Sequence, residues 1–128
     1  VKRGRALKLD AVFKLEDFER IFEHIPVDIT YIDRDFRVLD MNSHFLKKLG
    51  MKIEHVRGER CYKLAAEMNG EKKKDIKPCS HCLLLEVLEK GEIQTSVNDV
   101  APDLIMKNIV VPVKNEAGEV IWVIELLQ

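Results

Sequence analysis

The stretch VDITYIDRDFRVLDMNSHFLKKLG, from Val27 to Gly50, decides the fold, because its hydrophobic period changes from two to about 3.6 within one short segment. Val27, Ile29 and Tyr31 alternate with Asp28 and Thr30, the pattern of a strand with one apolar face. Asp33-Arg34-Asp35 interrupts it as a hairpin turn, and Phe36 to Met41 resumes as a second strand with apolar residues on both faces. Asn42 stands where the period changes. Its side-chain oxygen is suited to accept from an unpaired N–H of the next turn. Phe45, Leu46 and Leu49 then follow at helical spacing, and Gly50 supplies a left-handed stop, so the helix is short.

On the N-terminal side, Ala11, Leu15, Phe18, Phe22 and Ile25 recur at intervals of four, three, four and three, with Glu16, Asp17, Glu19, Arg20 and Glu23 opposite. This is an amphipathic helix ending at Pro26. It can cap the chain's own sheet or form a seam with a second copy, and the heptad-like spacing of Leu15, Phe18, Phe22 and Ile25 predicts a homodimer through it. Lys2, Arg3, Arg5 and Lys8, near the start, read as a solvated basic cluster. Residues 1–14 are therefore assigned to a linker and helix start, and 15–128 to one domain.

On the C-terminal side, 51–57 reads as a connector and 58–64 as a short helical turn, while 69–75 is a charged surface loop around Asn69-Gly70. Pro78 suits the first position of a helix whose apolar stripe is Leu84, Val87 and Leu88 and which Gly91 ends. Strands are predicted over 93–97, 104–113 and 120–126. The last is apolar on both faces, as a strand in the middle of a covered sheet should be.

Composition bounds the class. The 128 residues suit one domain, and 46% hydrophobic with 34% charged residues is ordinary for a globular protein. A net charge of −1 gives no general attraction to nucleic acid. No run of about 18 apolar residues and no secretory leader is visible, so the expectation is a cytoplasmic chain with no membrane contact. The start at Val1 rather than Met suggests an excised or processed piece with its effector elsewhere. Abundant Lys and Glu with two Gln lean towards a thermophile.

The order of features, Ile25-Pro26, a strand ending in Ile32-Asp33, a turn, a strand ending in Met41-Asn42, then Phe45 and Leu49-Gly50, resembles the opening half of a PAS sensor domain. Glu116-Ala117-Gly118-Glu119-Val120 resembles the family's last hairpin turn and 120–126 its final strand, so the resemblance spans roughly 15–128. It implies an α+β fold with a five-stranded antiparallel sheet in the order 2-1-5-4-3, short helices on one face and the N-terminal helix or a partner on the other. It also implies a regulatory sensory or dimerisation module of a bacterial or archaeal signalling protein, such as a histidine kinase, a cyclic-di-GMP enzyme or a transcription activator.

The residues with distinctive chemistry are Cys61, Cys79 and Cys82, the only cysteines of the chain. Cys79 and Cys82 form a C-x2-C pair with His81 inside it. A helix starting near Pro78 would place both on one face at its positive end, favouring thiolates. Such ligands suit zinc or an iron–sulfur cluster, which want four donors, and His81, His55 and His44 are the nearby candidates for the fourth. A disulfide from Cys61 to either partner would close a loop of about 20 residues, and in a reducing cytoplasm would act as a switch. Against this stands plain burial, since cysteine packs as a small hydrophobe. The Cys61-Tyr62 and Pro78-Cys79-x-x-Cys82 arrangement resembles a cysteine-bearing subset of PAS sensors, for which redox or metal sensing is the natural use.

The resemblance also implies a cavity between helices and sheet that holds a small molecule. Asn98 and Asn108, on consecutive strands, are the candidates to orient it, with exposed strand asparagines as the alternative. Flavin photochemistry would need an Asn-Cys-Arg-Phe-Leu-Gln run, which is missing. Haem is disfavoured because 83–90 carries no His and Leu83 follows Cys82. The competing class, a cysteine-dependent redox enzyme, lacks a strand before the C-x2-C, a Ser/His/Asp set and a Gly-rich phosphate loop, so no enzyme is expected.

Overall fold

The computed structural model describes residues 14–68, 82–101 and 104–128, the side chains of residues 68, 98–101 and 104 excepted. In chain order the elements are helix α1 (Leu15–His24), strands β1 (Asp28–Asp33) and β2 (Val38–Met41), and helices α2 (Ser43–Leu49), α3 (Ile53–Val56), α4 (Cys61–Met68) and α5 (Leu83–Lys90). Strands β3 (Gln94–Ala101), β4 (Leu104–Lys114) and β5 (Val120–Leu127) follow. The strands form one sheet in the order β2-β1-β5-β4-β3, every neighbour antiparallel. This is the α+β architecture expected, with β5 central.

The stretch that decides the fold is fastened by Asn42. Its Oδ1 accepts from Phe45 N at 3.2 Å, which caps α2, and from Ile29 N at 3.1 Å, while its Nδ2 donates to Val27 O at 2.8 Å. The residue is fully buried. One side chain thus satisfies an orphan helix donor and two backbone groups at the start of β1. Gly50 closes α2 with φ 65°, as its sequence position foretold. β2 is shorter than the expected 36–41 because Phe36 takes the left-handed conformation, φ 66°, and closes the turn, its N–H donating to Asp33 O at 3.2 Å. Asp33 Oδ1 braces that turn by accepting from Asp35 N and Arg37 N at 2.8 and 2.9 Å.

Elsewhere the structure moves several boundaries. The connector over 51–57 contains α3, which exists to bury Val56, and the short turn over 58–64 is the start of the longer α4. β3 runs past Val97 to Ala101 because β4 pairs with it from Val110 back to Leu104. α5 begins at Leu83, and Cys82 is its N-cap in extended conformation, so Cys82 does not stand one turn inside a helix as the C-x2-C reading supposed. The expectations for Ala11, the 69–75 loop, Pro78, Cys79 and His81 lie outside the described residues.

The core fills the inner sheet face in two patches. Ile32, Val110, Val120 and Val123 meet Leu84 and Val87 of α5, and Val38 and Met41 meet Phe45, Val56 and Leu64 of α2, α3 and α4. Cys61 packs against both. On the outer face Phe22 of α1 stacks on Tyr31 at 4.9 Å, and Tyr31 meets Trp122 edge-on at 5.1 Å. The carboxylate of Glu23 accepts from both Ser43 N and Ser43 Oγ, tying α1 to the start of α2. The apolar stripe of α1 is therefore split. Phe22 serves the chain's own sheet, while Leu15 and Phe18 are 75% and 60% exposed. Among the described residues no helix is long and apolar enough to cross a membrane.

Candidate functional site

Antiparallel register sets which side chains look at the helices. Thr30 pairs with Glu125 and Ile32 with Val123 across β1 and β5, while Asn108 pairs with Leu127 and Val110 with Glu125 across β4 and β5. Cross-strand partners share a face, so Thr30, Glu125 and Asn108 stand on the inner face of three adjacent strands. The core leaves space above them.

That space is a cavity with two lobes. One, of about 190 Å³, is lined by Thr30, Val38, Met41, Phe45, Leu49, Leu64 and Leu127. The other, of about 170 Å³, is lined by Tyr62, Cys82, Leu83 and Leu84. Ile32, Cys61, Ala65, Asn108 and Glu125 line both. An apolar cavity of about 150 Å³ is large enough to hold benzene, so each lobe accepts a ring or a short alkyl chain.

The floor is polar. Burial pushes the Glu125 carboxyl above the usual carboxylate range, and a hydrogen bond from the Asn108 side chain opposes that rise. With the amide N–H2 given to the carboxylate, Asn108 Oδ1 is left buried with no hydrogen-bond partner, and Thr30 Oγ1 is in the same state. Thr30 is only 3% exposed. Among the described residues no Lys, Arg or His lines either lobe.

A second buried carboxylate lies on the same face, two residues before Thr30. Asp28, 3% exposed, meets His44 Nδ1 at 2.8 Å and Lys48 Nζ at 2.8 Å, both from α2. It anchors that helix and lines neither lobe.

The candidates read from the sequence divide accordingly. Asn108 lines both lobes; the backbone of Asn98 pairs with Met106 on the edge of the sheet, two positions along from Asn108, and its side chain is outside the described residues. Cys61 and Cys82 are half-buried and line the same lobe, whereas Cys79 is outside the described residues. Among the described residues no group of three or more His, Cys, Asp and Glu side chains is placed to hold a metal ion. His44 is engaged by Asp28. Sequence reasoning missed Glu125 and Thr30. A signal for Glu125 existed, since it is the one charged residue in the otherwise apolar β5. Nothing in the sequence marks Thr30.

A family model described as PAS fold matches residues 22–128. Among solved structures the chain is similar to a sensory box sensor histidine kinase from Vibrio cholerae, with 14% identity, 98% of this chain and 94% of that chain covered, and a TM-score of 0.60. It is similar to the PAS domain of Bordetella pertussis BvgS, with 16% identity, 89% and 83% covered, and a TM-score of 0.57. An RNA-binding light-oxygen-voltage receptor gives 21% identity and a TM-score of 0.65, with 88% of this chain but 32% of that one covered. At these identities the likeness is one of fold. A search of curated proteins returns no match.

Proposed function

The chain belongs to the PAS family, and from that premise we propose that it is the sensory module of a signalling protein, responding to a small molecule held in the cavity between its inner sheet face and helices. The observation that carries this reading is the polar floor: a desolvated carboxyl and two unpartnered buried oxygens in an otherwise apolar space. A cavity kept only by imperfect packing would be lined by apolar groups, because each orphaned oxygen costs about 1–3 kcal/mol. A histidine kinase, which the Vibrio cholerae neighbour is by its description, is the effector class we favour over a cyclic-di-GMP enzyme or a transcription activator. The domain itself acts by binding and has no turnover. A melting-temperature screen against a diverse set of small molecules should give hits that Ala65→Trp abolishes by filling both lobes; a screen without hits counts against the reading.

The thiols support a second reading, in which Cys61 and Cys82 make the response redox-sensitive or, with Cys79, metal-dependent. It is favoured by their facing one lobe from α4 and from the N-cap of α5. Metal content of anaerobically purified protein, with a thiol count before and after mild oxidant, decides it. Zinc, iron with sulfide, or the loss of two thiols upholds the reading, and three unreactive thiols without metal remove it.

The partner proposed for the exposed stripe of α1 is a second copy of the chain. Leu15 and Phe18 present their apolar surface outward on the helix that also reaches Tyr31. Sedimentation should detect a dimer that Phe18→Asp dissociates. A monomer at high concentration removes it.

A further inference from the structure

The cavity proposed above as the sensory site has a definite electrostatic character, and the ligand class follows from it. Its floor offers the Glu125 carboxyl, Asn108 Oδ1 and Thr30 Oγ1 from three adjacent strands. The titratable side chains facing it from the helical side are Cys61, Tyr62 and Cys82. Among the described residues no cationic side chain approaches Glu125 from β1, β4, β5, α4 or α5 within the lining. An anionic ligand would set like charge against a desolvated carboxylate in a medium of low dielectric, where repulsion is strongest. A neutral hydroxyl has one donor and would satisfy one of the three oxygens. A primary ammonium has three N–H donors in a compact head and supplies the counter-charge that the described lining lacks.

We infer that the cavity takes a small primary amine in its cationic form, with the ammonium on the Glu125 carboxyl beside its cross-strand partner Thr30 Oγ1 and an aryl or alkyl body in one of the lobes. The hydrocarbon body is limited by volume, since each lobe holds about one ring. This inference rests on the reading of the cavity as a ligand site, and its test separates the two.

Three probes share one body and differ in the head: 2-phenylethylamine, 2-phenylethanol and 3-phenylpropionate. Calorimetric titration of the whole chain at neutral pH should rank the amine at least tenfold tighter than the alcohol, with the carboxylate weakest. Glu125→Gln should reduce amine affinity at least tenfold and leave the alcohol within about twofold. Thr30→Val, which removes one acceptor and keeps the shape, should weaken the amine by a smaller factor. Circular dichroism and melting of each variant check that the fold persists. If the alcohol or the acid binds as well as the amine, or Glu125→Gln binds the amine undiminished, the amine assignment is overturned while the ligand cavity stands. If none of the three binds, the amine assignment is overturned, and if the diverse melting screen also gives no hits the ligand cavity falls with it.

Discussion

Asp28 and Glu125 are acidic side chains on the same face of one sheet, and the chain treats them in opposite ways. Asp28 is met by Lys48 and His44, so its burial is compensated and α2 is held to β1. Glu125 has Asn108 for a neighbour and no cation among the described residues, and burial raises its pKa. A buried charge that is paired has its desolvation offset, whereas one left without a counter-charge is a cost the fold carries for some other reason. The α2 end of the inner face is built to be rigid. On the reading proposed above, that reason is a ligand received by the β5 floor.

The contrast can be tested from its rigid end first. Asn42→Ala removes the cap of α2 and strands Ile29 N–H and Val27 C=O in the interior, so urea unfolding should register a loss of about 3 kcal/mol. A loss under about 1 kcal/mol would mean that α2 is held by packing alone. Asp28→Asn keeps the shape and removes the charge. Because His44 and Lys48 are partly solvated, the loss should be nearer about 1 kcal/mol.

At the other end the sign reverses. The folded chain holds the Glu125 proton to higher pH than the unfolded chain, so this group's contribution to stability is greatest below the ordinary glutamate pKa and falls as pH rises through the folded value. Glu125→Gln has no such proton to lose. Variant and parent should melt alike in mild acid and separate as pH rises, the variant becoming the more stable at neutral pH. Parallel melting curves for the two across that range would falsify the idea that Glu125 is an uncompensated group.

Much of this was legible in the sequence because the signals are local. The period change at Asn42, the stop at Gly50 and the two-faced apolar run of β5 each follow from sterics and hydrogen bonding within a few residues, and together they specify strand order through a known resemblance. Asn108 was found for the same reason, as a polar residue in a strand. The length of β3 was not legible, since it depends on how far β4 accompanies it. The start of the helix that carries Leu84, Val87 and Leu88 was not legible either, since Cys82 proved to be its N-cap.

By itself the sequence determined the elements other than α3, their order, and the amphipathic face of α1, since hydrophobic periodicity and capping act over one or two turns. Only the tertiary structure decided that Thr30, Glu125 and Asn108 share one floor, that Phe22 and Phe18 part company, and that Asp28 is neutralised while Glu125 is not. Those outcomes depend on register between strands distant in sequence and on which helix closes over which residue, and no local pattern encodes either.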